Sequence, residues 1–374
     1  MITKKNKFLE LLNKANINDF FGVPDSLLKN LISDIDCDKR FNNNVTSNEG
    51  CALAMGVGYH LATRKIPIIY LQNSGMGNII NPLTSIADKN LYSIPMMIIV
   101  GWRGEINKGK QIHDEPQHTK MGQISDKLIS SLGYKVQIVS KYEDLLDFTK
   151  KFLNIKNQKE PVFVLVKKGI FPKITNYKNT LDKKLVLKRY EVLNKILDNY
   201  DKKNFFVTTT GFISREVFTL KENKKLKHNN IFYNVGGMGH CLSIAVGIAK
   251  FSKKKILCID GDGSSLMHLG GVAQLEKNMN IIYIIINNKA HESVGGQKTS
   301  NTNFNFTGLS ELGIFKEVFR VKNEQELSSI VKKITKLKGP ILIEILVKKG
   351  TIENLGRPNI SFKKQVHELQ KYLN

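Results

Sequence analysis

Six runs of the chain are apolar at almost every position: residues 66–72 (IPIIYLQ), 94–102 (IPMMIIVGW), 161–169 (PVFVLVKKG), 254–260 (KKILCID), 280–288 (NIIYIIINN) and 339–347 (GPILIEILV). Continuous apolar runs, rather than alternating ones, suit parallel strands covered on both faces. Helical patterns lie between them, at 50–64, 240–252 and 325–337. Strand, helix, strand, repeated, predicts an α/β fold of doubly wound parallel sheets. Residues 1–17 read as an amphipathic helix and lack the apolar stretch and cleavage site of a signal peptide.

The rhythm breaks at 171–189, which is polar and rich in Lys and Asn, with no strand before the next helix at 189–200. This predicts a domain over residues 1–174, a linker over 175–188 and a second domain over 189–374. Each half has a Gly-rich helix opening, NEGCALAMGVG in one and GGMGHCLSIAVGIA in the other, hinting at two related domains.

Composition narrows the class. The 374 residues are 41% hydrophobic and 24% charged, enough for two cores, which excludes a disordered chain, a disulfide-stapled miniprotein and collagen. No run of 18 apolar residues exists, so no membrane span is expected. The net charge of +24 raises a nucleic-acid-binding protein as an alternative from a different class. Only seven of the 57 basic residues are Arg and no block of five like charges occurs, so a Lys-rich solvated surface is the preferred reading and no nucleic-acid partner is expected. A positive field would also draw an anionic substrate. Cys37, Cys51, Cys241 and Cys258 form no CxxC pair and are expected to be buried, reduced thiols of a cytoplasmic protein.

The segment CIDGDGSSLMHLGG is the most informative. A hydrophobic strand ends at Asp260, Gly261-Asp262-Gly263 turns the chain, and a helix is expected from about Ser264. With 23 residues intervening after Gly263, a second strand ends at Asn287-Asn288. Adjacent parallel strands would bring the Asp262 carboxylate and the Asn288 amide oxygen to one crevice. Both are hard oxygen donors suited to Mg²⁺ or Ca²⁺, too few for a closed cage but sufficient when a diphosphate completes the shell. The glycines would let backbone N–H groups approach phosphate.

This pattern resembles the thiamine diphosphate motif of the decarboxylase and acetolactate-synthase superfamily. The resemblance implies thiamine diphosphate and Mg²⁺ as cofactors. The metal would be held by Asp262, Asn288 and the Ala290 carbonyl, with Gly261, Gly263 and Ser264 at the diphosphate. Lys289 stands where that motif carries Gly or Asp. Gly236 and Met238 of NVGGMGHC would accept from the aminopyrimidine and wedge the cofactor into a bent shape. Glu49, in SNEGCALAMG, would donate a proton to the pyrimidine ring, and burial would keep it protonated. Glu49 also has a plain reading as a helix N-terminal carboxylate. In resembling enzymes the two functional halves come from different subunits, so a homo-oligomer with its active site at an interface is implied.

FGVPDSLLKN (21–30), the long stretch 47–85, YSIPMMIIVGWRGE (92–105), HDEPQH (113–118) and NNKAHESVGGQKT (287–299) are similar to the phosphonopyruvate decarboxylase family. The resemblance spans nearly the whole chain, without the middle domain of larger relatives. It implies decarboxylation of 3-phosphonopyruvate to phosphonoacetaldehyde and CO₂, in phosphonate biosynthesis. Sulfopyruvate or another acidic 2-oxo acid is the alternative substrate, and a catalytically silent cofactor-binding scaffold is a further alternative. A multiply charged anion needs donors and cations. The candidates are Ser26, Asn73, Ser74, Arg103 and Gln297 for binding, and His113 and His118 as proton relays. Asp25, Asp114 and Glu115 would orient them. Ser74, Gly75 and Gly77 read as an anion-binding loop, and 297–304 as either a closing loop or a plain connection. Residues 105–118 are longer than the family leads one to expect.

Overall fold

In the computed structural model, which describes residues 6–155, 158–172, 185–200, 202–334 and 336–374, the chain divides into two compact units, Met1–Lys178 and Asn179–Asn374. Most of the expected linker, residues 175–184, lies outside the described residues. Its end does not behave as a spacer. Leu187 is buried in the second unit's core, and Lys188 bridges to Lys348.

The first unit holds one parallel sheet of six strands: β1 (Asp19–Gly22), β2 (Asn42–Val45), β3 (Ile68–Gln72), β4 (Met96–Gly101), β5 (Lys135–Val139) and β6 (Pro161–Val166). Their order is β2-β1-β3-β4-β6-β5. The second unit repeats this with β7 (Phe205–Thr208), β8 (Ile231–Tyr233), β9 (Ile256–Gly261), β10 (Ile281–Asn287), β11 (Glu317–Val321) and β12 (Ile341–Leu346). Their order, β8-β7-β9-β10-β12-β11, is the first one shifted by six. The likeness of the two helix openings therefore reflects a shared topology.

Each sheet is covered on both faces, which explains why its central strands read as unbroken apolar runs. In the first unit, Ile68 and Tyr70 pack with α1 (Lys7–Lys14), α2 (Lys29–Cys37) and α6 (Tyr142–Leu153). The alternate residues Ile69 and Leu71 face α3 (Glu49–Thr63), α4 (Met76–Ile86) and α5 (Pro116–Ser131). In the second unit, Ile282, Ile284 and Ile286 pack with α7 (Arg189–Tyr200), α8 (Phe212–Asn223) and α11 (Glu324–Ile334). Ile281, Tyr283 and Ile285 pack with α9 (Cys241–Phe251), α10 (Asp262–Met267) and α12 (Phe362–Leu373). Burying each such side chain contributes about 1.5–3 kcal/mol.

Two expectations are corrected. Helix α10 starts at Asp262, two positions before Ser264. Cys241 and Cys258 are buried, but Cys37 and Cys51 are exposed, at the end of α2 and on the outer side of α3. Among the described residues no helix is long and apolar enough to cross a membrane.

Candidate active site

In the second unit the order β8-β7-β9 marks a switch point, where connections leave β7 and β9 on opposite sides and open a crevice at their carboxyl ends. The parallel register of β9 with β10 pairs Gly261 with Ile286. The residues that follow each strand therefore emerge side by side. One cleft gathers Met238, Gly261, Asp262, Gly263, Ser264, Asn288 and Ala290. Gly236 is outside its lining; its carbonyl accepts the Met238 N–H at 3.0 Å, which shapes the tight turn that presents Met238.

Asp262 is the first residue of α10 and is buried. Burial pushes its carboxyl up to about 7, against the pull of its own and Gly263's backbone N–H groups and of the Thr299 hydroxyl at 3.3 Å. Such a carboxylate is stabilised by a cation. Asn288 Oδ1 accepts the Ala290 N–H at 3.1 Å and keeps a second lone pair, while Asn288 Nδ2 donates to Glu292 Oε2 at 2.9 Å. Lys289 between them has φ +59°, a left-handed conformation that explains why Gly is favoured there. A side chain at Gly263 would place its Cβ 2.5 Å from His291 Cε1, so only glycine permits this close approach. No cluster of three or more His, Cys, Asp or Glu suited to a metal exists among the described residues. The donor set of one carboxylate, one amide and one carbonyl leaves about half of a six-oxygen Mg²⁺ shell to other ligands, which is what a diphosphate supplies. The residues fit thiamine diphosphate with its metal.

Three residues here escaped the sequence reading. Ser264 Oγ accepts from the Thr209 hydroxyl at 2.8 Å and from the Gly239 N–H at 3.0 Å, so Thr209 ties β7 to α10. His291 lines the cleft, and burial lowers its imidazole to about 4, so it is neutral. Arg189 reaches the same cleft from α7 and pairs with Glu292 at 2.6 Å and Glu216 at 2.9 Å.

In the first unit, Asn48 caps α3 by accepting the Cys51 N–H at 2.9 Å, and Glu49 is the helix's first residue. Glu49 is buried and its carboxyl is raised above the usual range by desolvation, opposed by Asn78 Nδ2, which donates at 2.7 Å. A Cβ on Gly75 would lie 2.3 Å from Glu49 Oε1. The segment expected to bind an anion therefore houses Glu49: Asn73–Gly75 is a tight 3₁₀ turn and Gly77 lies inside α4.

The first unit's candidate substrate residues fall at the carboxyl ends of β1, β3 and β4. Asn73 and Arg103 are joined both ways, with Asn73 Nδ2 donating to the Arg103 carbonyl at 2.9 Å and Arg103 N–H donating to Asn73 Oδ1 at 3.1 Å. Arg103 donates to Ser26 Oγ at 3.2 Å and grips Asp114 with two bonds of 2.7 and 2.5 Å. Asp114 is held well below the usual carboxylate range; burial opposes this, and the Arg103 guanidinium prevails. Asp25 is wholly buried, its carboxyl pushed up to about 6 by desolvation, and its Oδ1 has no hydrogen-bond partner among the described residues. His118 is buried in the first turn of α5, whereas His113 is exposed in the preceding loop, so the two histidines are not equivalent. Ser74 is exposed and accepts from Gln72 at 2.6 Å. Within 105–118 lies a small hairpin, Ile106–Asn107 against Lys110–Gln111. Gln297, in the second unit, is fully buried on a two-residue ladder opposite His291, with neither amide atom hydrogen-bonded among the described residues. The stretch 297–304 leads into buried Phe306.

Comparison with known proteins matches both units. The family described as "Thiamine pyrophosphate enzyme, N-terminal TPP binding domain" covers residues 3–126, and "Thiamine pyrophosphate enzyme, C-terminal TPP binding domain" covers 210–345. The chain is 27% identical over 368 residues to phosphonopyruvate decarboxylase of Streptomyces viridochromogenes, covering 94% of this chain and 90% of that one. It is 23% identical over 389 residues to sulfopyruvate decarboxylase of Methanosarcina acetivorans, covering 96% and 94%. It is 32% identical over 183 residues to sulfopyruvate decarboxylase subunit beta of Methanococcus maripaludis, covering 47% and 90%.

Proposed function

The chain belongs to the thiamine diphosphate-dependent decarboxylases, and from that premise we propose that it converts 3-phosphonopyruvate to phosphonoacetaldehyde and CO₂, a step of phosphonate biosynthesis. The observation that carries the cofactor reading is the meeting of Asp262 and Asn288 at adjoining strand ends. Asp262, Asn288 and the Ala290 carbonyl would hold Mg²⁺, and Gly261, Gly263 and Ser264 would face the diphosphate. Gly236 and Met238 would receive and bend the cofactor. When bound, thiamine diphosphate supplies the electron sink for loss of the carboxyl group.

The protein's own residues bind, orient and move protons. Glu49, whose carboxyl burial raises above the usual range, would exchange a proton with the cofactor's pyrimidine ring. Arg103, set by Asp114 and Ser26, offers a fixed cation to an anionic group, and Asn73 fixes its backbone. Ser74 and Gln297 would add donors. His118, packed near Asp114, is better placed to pass a proton than the exposed His113.

A homo-oligomer with the active site at a subunit interface is part of this reading. It is supported by the outer side of α3 beside Glu49, where Cys51, Ala54, Met55, Gly58 and Leu61 leave an apolar face exposed. Four free thiols suit a reducing compartment such as the cytoplasm.

Sulfopyruvate is the second substrate reading, favoured by the near full-length likeness to the Methanosarcina enzyme. A phosphonate is a dianion near neutral pH and a sulfonate a monoanion, so the charge in the pocket separates them. Steady-state assays with both compounds decide: a higher kcat/KM for phosphonopyruvate is expected, and a higher value for sulfopyruvate overturns the assignment.

A further inference from the structure

We propose that the Arg189–Glu292 ion pair is a positioning element for the metal site. It fixes which end of the Asn288 amide faces the cleft, so that Oδ1 rather than Nδ2 is offered to the divalent ion. The inference rests on the cofactor reading above and concerns residues which that reading does not use.

The amide of Asn288 is nearly symmetric in shape, and only its surroundings decide its orientation. Glu292 Oε2 takes an N–H from Nδ2 at 2.9 Å. A flipped amide would set two oxygens against each other. It would also turn an NH₂ group towards the Ala290 N–H, which Oδ1 now accepts at 3.1 Å. Glu292 is itself held. Arg189 donates to the same Oε2 at 2.6 Å, and the Gly350 N–H donates to Oε1. Arg189 is fixed from behind by two bonds of 2.9 Å to wholly buried Glu216 and by the Gly350 carbonyl at 3.1 Å. The chain of contacts runs Glu216, Arg189, Glu292, Asn288, with the ion next in line. Arg189 is 4% exposed and Glu292 11% at the side chain, so the pair is little screened by solvent.

The other side of the turn has a matching support. Asn287 Oδ1 accepts the Lys289 N–H at 3.1 Å, while Asn287 Nδ2 donates to buried Glu344 at 2.8 Å. Arg320 in turn donates to Glu344 at 2.6 Å. The two asparagines at the end of β10 are therefore each oriented by an Arg-backed glutamate. The Glu344 side shapes the backbone, and the Glu292 side aims the donor atom.

A purely architectural role for Arg189, tying α7 to the segment after β12, predicts something different, and metal titration separates the two. Full-length protein freed of metal is titrated with Mg²⁺ by calorimetry at saturating thiamine diphosphate, for the parent, Glu292→Gln and Arg189→Lys. Outer contacts of this kind typically govern about 10–100-fold in metal affinity, and that weakening is expected for Glu292→Gln. For Arg189→Lys, which keeps the charge but loses the fork, a weakening of about 3–10-fold is expected. In both variants kcat should return to near the parental value when Mg²⁺ is saturating. Should either variant fail to fold, the other alone decides. A lowered melting temperature with Mg²⁺ affinity unchanged within about twofold assigns the pair to architecture and overturns the inference, leaving the cofactor reading intact. Absence of any Mg²⁺-dependent binding in the parent overturns both.

Discussion

Gly75 lies against the carboxyl group of Glu49 so closely that a Cβ there would stand 2.3 Å from Oε1. With Asn78 donating to Oε2 at 2.7 Å, the first turn of α4 forms the seat of the acid that the proposed mechanism uses. Two substitutions on separate elements should therefore have one effect. Glu49→Gln is expected to lower kcat by about 10²–10⁴-fold while leaving cofactor affinity largely intact. Gly75→Ala should approach that loss with Glu49 untouched. Single-turnover assays beside cofactor titrations check this; a Gly75→Ala enzyme of parental kcat would show that the contact is idle.

The metal-free protein should lose stability as pH rises. Asp262 and Asp25 ionise at about 7 and about 6 in the folded chain, against 3.8 for a solvated aspartate. At these two groups the folded state thus binds more protons than the unfolded one between roughly pH 4 and 7, and stability falls across that window, although buried His291, lowered from 6.5 to about 4, opposes the fall in its lower part. Melting temperature measured from pH 5 to 8 should decline. Asp262→Asn should flatten the decline, and Mg²⁺ with thiamine diphosphate should remove the Asp262 part of it. A rise of melting temperature with pH in metal-free protein contradicts this.

Lys289 occupies a left-handed conformation at φ +59° in the turn between Asn288 and Ala290. That geometry costs a non-glycine residue about 1–2 kcal/mol, partly offset for glycine by its freer unfolded chain. Lys289→Gly is expected to gain up to about 1 kcal/mol, and the β-branched Lys289→Val to lose at least that much. Denaturant melts give the ranking; equal stability of the two variants would show that the turn relaxes around its side chain.

Arg103 is expected to govern substrate affinity more than turnover. Its guanidinium is held by Asp114 and Ser26 as a fixed fork. Lysine cannot reproduce the fork, so Arg103→Lys should raise KM for phosphonopyruvate by roughly tenfold with a smaller change in kcat. A change confined to kcat would move Arg103 out of substrate binding.

Much of the fold was legible from the apolar runs, since β3, β4, β6, β9, β10 and β12 are all buried on both faces. The missed strands are short or polar. β2 is NNNV at a sheet edge, and β5 and β11 (KVQIV and EVFRV) carry charge at the opposite edges. Asp262 and Asn288 were readable because strand spacing alone brings them to adjoining ends. Asn78 and Arg189 were not. Asn78 looks like any polar helix residue, and Arg189 meets Glu292 across 103 positions of sequence, a pairing only the folded sheet creates. Cys51 was misjudged because its helix is apolar on both sides, with one side exposed in the single chain.

On this account the chain is a metal- and thiamine diphosphate-dependent decarboxylase of a phosphonylated 2-oxo acid. Protein stripped of metal and cofactor, then supplied with phosphonopyruvate, should release CO₂ only when Mg²⁺ and thiamine diphosphate are both returned, with phosphonoacetaldehyde formed in equal amount. Equal release without them, or none with both present, would contradict it.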